Sequence, residues 1–236
     1  MTEAQIGDLS AAALLLGIGL VIGLVQRRNF DWRWLLVAAG LVVLNNLLLS
    51  RGYGLVPSIG EWNWIGKILA LAGTLVIASL PVFGWRRVGL TLAQHAGSLK
   101  AAIPVALLYC AFFLVIALLF PSDPPSREDV AFQLTMPGLE EELFYRGILL
   151  FALDQAFRGR VRFLGVEWGW GAVLSCLAFG LAHAFGYSDG VFSFDPMIMA
   201  LTALPSFIAV WLRYRTGSLV LPVLLHNFGN AIGLLV

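Results

Sequence analysis

Apolar residues run along this chain in long blocks, and polar residues gather in the short stretches between them. A bilayer core takes about 20 residues of apolar helix, with a range near 17–25. Against that length the blocks predict helices over 9–25, 34–49, 64–85, 101–120, 130–157, 168–185, 196–212 and 218–236. The second is short and holds Asn45 and Asn46, and the fifth is long and carries charge near its middle. Residues 89–99 are amphipathic but too short to span, so they are expected along the membrane interface. Residues 121–127 have the Pro and Asp content of a turn-forming loop. The pattern predicts an all-α fold, a polytopic membrane helix bundle of about eight transmembrane helices. Residues 1–128 would supply the N-terminal helices and residues 129–236 the C-terminal helices that carry chemistry, in one integral bundle without a soluble domain.

Composition points the same way. Of the 236 residues, 59% are hydrophobic and 12% charged, with a mean hydropathy of +0.86. Soluble domains carry about a quarter charged residues and just under half apolar ones. The net charge is +1, and no basic patch with interleaved aromatics is present, so a nucleic-acid partner is not expected. Lipid is the expected surround.

Charge placement adds orientation. Most of the 15 basic residues fall in alternate loops: Arg27, Arg28 and Arg33; Arg86, Arg87 and Lys100; Arg158, Arg160 and Arg162; Arg213 and Arg215. The intervening loops hold Arg51 and Arg127 among Glu61, Asp123, Glu128, Asp129, Asp189 and Asp195. This alternation is the positive-inside pattern, and it places both termini outside. Tryptophans at block ends, such as Trp32, Trp62, Trp85 and Trp168, suit an interfacial belt. Glu3 and Asp8 stand where a signal peptide would be basic, so the first helix is expected to be retained. The expected location is a multi-pass place in a cell membrane, the cytoplasmic one if the source is bacterial or archaeal. Cys110 and Cys176 lie inside apolar blocks and read as core filling.

Four ionisable residues interrupt the fifth block: Glu140, Glu141, Glu142 and Arg146. Each such residue costs about 2.5–3.5 kcal/mol at a helix centre on insertion scales. Pro137 and Gly138 precede them and permit a kink. On an α-helix successive side chains stand about 100° apart, so the three glutamates cannot share a face. Glu142 and Arg146 have the favoured acid-first i,i+4 order and are expected to pair. Glu141 is then left to meet other helices, and Glu140 is displaced toward the outer aqueous loop. The cluster reads either as a stabilising salt-bridge network or as a functional group. In the sixth block His183 follows Phe179 by one turn, and it reads as a satisfied core histidine or as a base whose ring Phe179 walls. In the eighth, His226 and Asn230 project from one face, one turn beyond Pro222. They read as helix–helix glue or as a pair of hydrogen-bond donors. His95, the third histidine, reads as a solvated surface residue.

Taken in order, Glu141-Glu142-x-x-x-Arg146, Phe179-x-x-x-His183 and His226-x-x-x-Asn230 resemble the CAAX prenyl endopeptidase and bacteriocin-processing (CPBP, or Abi) family of intramembrane proteases. The resemblance covers residues 130–236. It implies an eight-helix bundle with a conical cavity open to water and lipid. It also implies hydrolysis of a peptide bond in a membrane-associated protein or peptide, near the C-terminus of prenylated proteins in eukaryotic members. Carried over by motif, Glu141 and His183 would position and deprotonate the attacking water, and His226 and Asn230 would stabilise the oxyanion. Glu142, Arg146 and Phe179 would support them. Hydrolysis does need a base near the operating pH and donors aimed at the oxyanion.

Zinc is the one candidate cofactor. Glu141, His183 and His226, with Glu142 as a fourth, form an N/O set of the kind zinc takes. No His-Glu-x-x-His pair is present and Asn is a poor ligand, so glutamate-activated water without metal is the preferred reading. Serine and aspartate chemistries fit poorly: Ser175 and Ser206 lack a Gly-x-Ser-x-Gly setting, and Asp154 is alone in its segment. Intramembrane Glu, His and Arg also build proton relays, which makes a proton-coupled transporter the alternative, although no inverted repeat is visible. A non-catalytic immunity or scaffold protein is a third reading.

Overall fold

The structure, a computed structural model, describes residues 3–55 and 60–236. The side chains of Asp8 and Arg51, read above for their charge, lie outside the described residues. The fold is all-α apart from two short hairpins. Its long elements are α1 (Glu3–Val25), α2 (Trp32–Leu55), α3 (Trp64–Ser79), α4 (Leu99–Leu119), α7 (Trp170–Ala184), α8 (Pro196–Thr216) and α9 (Val220–Ala231). Four spans, Gln5–Val25, Trp32–Ser50, Leu99–Leu119 and Pro196–Thr216, are long and apolar enough to cross a bilayer, and Trp64–Ser79, Trp170–Ala184 and Val220–Leu234 are shorter apolar helices. This is an integral membrane protein.

The helices α1 and α2 extend beyond their predicted blocks, to Glu3 and Leu55, and the third and fifth blocks differ more in kind. The third stops at Ser79, and residues 80–98 form a succession of turns in place of an interfacial helix. The turns are tied to the loop between α8 and α9: Leu219 N donates to Gly89 O (3.0 Å), His95 N to Thr216 O (2.7 Å) and Ser218 Oγ to Thr91 O (2.5 Å). The fifth block is three helices: α5 (Arg127–Gln133), a π-helix (Gly138–Leu149) and α6 (Leu150–Ala156). Pro137 has no N–H to donate into a continuous ladder, and the chain resumes beyond it with a wider turn.

The chain divides into two compact units whose segments interleave, Met1–Leu47 with Tyr145–Trp211 and Leu48–Phe144 with Leu212–Val236. In the first unit α1 packs on α7 and on the hairpin β3 (Phe185–Ser188)–β4 (Val191–Phe194), while α6 packs on α7. Small residues on α7 allow close approach: Gly171 lies against Asp154 of α6, and Gly180 against Met199 and Ala203 of α8. Phe30 stacks on Phe157 at 5.2 Å, and Asp31 N donates to Ala156 O (2.8 Å) beside it. A second hairpin, β1 (Val161–Phe163)–β2 (Val166–Trp168), turns through Leu164 and Gly165, both at positive φ. Indole N–H groups hold its tip, from Trp211 to Leu164 O (2.9 Å) and from Trp168 to Phe163 O (3.1 Å). Cys176 is fully buried, as expected for core filling.

In the second unit α4 and α5 both pack on α9. The start of α3 is fixed closely. Asn63 caps it, its Oδ1 accepting from Gly66 N (3.0 Å) while its Nδ2 donates to Leu49 O (3.1 Å). One Glu128 oxygen accepts from the N–H groups of Glu61 (2.9 Å) and Trp62 (3.2 Å) and from the Trp64 indole (3.0 Å). Asp129 accepts from the Trp62 indole at 2.7 Å, and Phe132 lies between the two indoles, stacked on Trp62 and edge-on to Trp64.

These bonds favour the ionised acids. The Trp62 and Glu61 N–H groups and the Trp64 indole hold the Glu128 carboxyl below its usual range, and the Trp62 indole and Ser126 do the same for Asp129. A carboxyl depressed in the folded state stabilises the fold above its unfolded pKa of about 4 and loses that contribution as pH falls through the folded value. The thermal midpoint in detergent is therefore expected to drop on acidification below about pH 4, and to drop less in Glu128→Gln/Asp129→Asn. An equal acid slope in both proteins would contradict the assignment.

Candidate active site

Three acids on the π-helix, one lysine on α3 and one histidine on α9 form a connected cluster within the second unit. The π form, with its i→i+5 bonds, sets successive side chains about 80° apart in place of about 100°. Neighbouring acids can therefore share a partner. Lys67 Nζ lies 2.6 Å from Glu140 Oε2 and 2.5 Å from Glu141 Oε1. His226 bridges the next pair, with Nδ1 at 2.7 Å from Glu142 Oε1 and Nε2 at 3.5 Å from Glu141 Oε2. Glu140 is thus not displaced toward an aqueous loop. It is completely buried, and removing one partner of such a pair costs about 3–5 kcal/mol.

Burial separates the members. Glu140 and Glu142 are closed off at 0% and 1% exposure, whereas the side chains of Lys67, Glu141 and His226 retain 14%, 13% and 12%. The outer three can meet a ligand, and the inner two hold them. A carboxylate only accepts, so His226 Nδ1 carries the proton toward an ionised Glu142. A donor role for Nε2 then calls for the doubly protonated ring. Asn230, one turn further along α9, is exposed, and no hydrogen bond of its side chain is found among the described residues.

The break before the acids is closed by Asn227. Its Oδ1 accepts from Gly138 N (2.7 Å) and its Nδ2 donates to Thr135 O (3.3 Å). A Cβ on Gly138 would lie 2.5 Å from Asn227 Oδ1 and 2.7 Å from Val223 O, so α9 presses directly on glycine backbone. That contact brings His226 to the acids. Beside them a groove of about 410 Å³ is lined by Leu139 and Leu143 of the π-helix, Val223 and Leu224 of α9, and Trp85, Leu90 and Leu92 of the turn segment.

The first unit holds the other named residues. His183 Nδ1 is 2.8 Å from Phe179 O, and since a carbonyl accepts, Nδ1 carries the hydrogen and Nε2 keeps its lone pair. His183 is exposed, and its ring lies 4.6 Å from that of Phe179. Phe179 thus orients the imidazole, through its carbonyl as well as its ring. Arg146 is buried, donates to Ser206 Oγ and has its guanidinium 4.1 Å from the Phe179 centroid, a cation–π contact. Tyr145 meets Phe179 edge-on at 5.1 Å.

Among the described residues no group of three or more His, Cys, Asp or Glu side chains is arranged to hold a metal ion. Lys67 Nζ lies on Glu141 Oε1, while Oε2 faces His226 Nε2.

Lys67 and Asn227 escaped the sequence reading. Lys67 is a lone cation in the apolar third block, an anomaly of the same kind as the glutamates. Asn227 gives no separate signal beside His226 and Asn230. Its role depends on a bond to a residue 89 positions away.

No curated protein and no solved structure matches the chain. A family model does: residues 128–232, which run from α5 through α9 and carry all three motifs, match the Rce1-like family, described as type II CAAX prenyl endopeptidase Rce1-like, and the likeness read from the motifs stands over that region.

Proposed function

We propose that this protein is an intramembrane endopeptidase that hydrolyses a peptide bond near the C-terminus of a membrane-associated, CAAX-like substrate. Glu141 and His183 activate the water, and His226 and Asn230 stabilise the oxyanion. The observation that carries the reading is the Glu141 carboxylate, partly accessible in an apolar region that matches the endopeptidase family and held between Lys67 and His226. The Nδ1 contact of His183 to the Phe179 carbonyl supports its part, since that contact fixes the tautomer and orientation of the ring. The apolar groove beside the acids suits the lipid portion of such a substrate.

The test uses the full chain in liposomes with a quenched fluorogenic peptide ending in farnesyl-cysteine, two aliphatic residues and methionine. Release of the last three residues, unchanged by a zinc chelator, is the expected result. A second reading draws on the same contacts, since Lys67, Glu141, His226 and Glu142 in series could also relay protons. Proton flux in pH-jumped liposomes without cleavage of the peptide would favour that reading and sink the first.

A further inference from the structure

We propose that Lys67 is a positioning residue for Glu141, a role that rests on the reading of Glu141 as the water-activating acid. Lys67 lies outside the region matched to the family, in a helix, WIGKILALAGTLVIAS, whose other residues carry no charge. Its ammonium holds two carboxylates with different tasks. Glu140 is fully buried, so it cannot meet substrate; it anchors Nζ from behind at 2.6 Å. With Nζ held there, the 2.5 Å contact to Glu141 Oε1 sets the rotation of that carboxylate and turns Oε2 toward His226 Nε2. Lysine suits the task better than arginine, because a compact ammonium with three donors can serve two neighbouring acids as a point charge.

The backbone of Lys67 is fixed as firmly as its head group. Its N–H donates to the carbonyl of Asn63, whose side chain caps α3 and bonds Leu49. Trp62 and Trp64 bind that same first turn to Glu128, Asp129 and Phe132 of α5, the helix that precedes the acids. The distance from Lys67 to Glu141 is therefore set by a clamp at one end and by Glu140 at the other. Misplacement of a reacting group by about 1 Å can cost on the order of 100-fold in rate.

Kinetics on the farnesylated peptide in liposomes separate positioning from charge balance. Lys67→Met is expected to lower kcat by on the order of 100-fold with KM little changed, and Lys67→Arg to recover part of the loss. Lys67→Met also strands Glu140, so the decisive variant is Lys67→Met/Glu140→Gln, which removes both charges. The double variant should regain the wild-type thermal midpoint while kcat stays low. Wild-type kcat in that variant would reduce Lys67 to a counter-ion for Glu140 and overturn the proposal, even with Glu141→Gln inactive. Full activity in Glu141→Gln itself would overturn the base assignment and the positioning role together.

Discussion

Glu141→Gln is expected to bring cleavage of the farnesylated peptide down by about 10²–10⁴-fold, the usual contribution of a general base. The protein should remain folded. The amide keeps an oxygen for Lys67 and nearly the same volume, and Lys67 retains Glu140 at 2.6 Å, so one cation still faces one anion. Glu142 still holds His226 at 2.7 Å, and α9 stays seated. Single-turnover cleavage beside a thermal midpoint checks both halves. Glu142→Gln should cost less, because it acts on the reaction only through the His226 ring. If Glu142→Gln proves the more damaging variant while both stay folded, the roles assigned to the two acids are reversed.

Gly138→Ala should be strongly destabilising to the second unit. The added Cβ would lie 2.5 Å from Asn227 Oδ1 and 2.7 Å from Val223 O, and the second neighbour is backbone that no rotamer change can move. Overpacking of this kind costs about 1–3 kcal/mol. Displacing α9 would also break the buried bond from Gly138 N to Asn227, adding about 1–3 kcal/mol for a donor left unsatisfied. Cleavage should fall with stability, since the same movement draws His226 away from Glu142. A lower thermal midpoint, together with no rescue by Asn227→Ala, is the expected pattern. Rescue would show that the side chain, and not the Val223 carbonyl, sets the limit.

The helices were readable because lipid makes a demand that composition must meet residue by residue. Long apolar blocks and loop arginines record it directly. The three motifs were readable because each places a polar group where hydrocarbon penalises it. The pitch of the 138–149 helix was not: the block was read with the α period, and the π period changes which neighbouring acids can share a partner. That difference moved Glu140 from an expected aqueous edge to a sealed pair with Lys67. The first hairpin was hidden for another reason. Leu164 at its tip occupies a conformation that favours glycine or asparagine, so Gly165 alone marks the turn, whereas the second hairpin turns on Asp189-Gly190, a pair of the favoured hairpin type.

The interleaving of the two units has a consequence for how the protein is made. All segments of the first unit exist once the ribosome has passed Trp211, but the second needs residues 212–236 as well. At about 5–20 residues per second those residues follow roughly 1–5 s later. Through that interval the acids have been synthesised and α9 has not. Lys67 precedes them in the chain and can neutralise Glu140 and Glu141 as they enter the membrane, whereas the bond from His226 to Glu142 forms only once α9 has been made. The lysine is thus a partner available at birth, and the histidine one that arrives last.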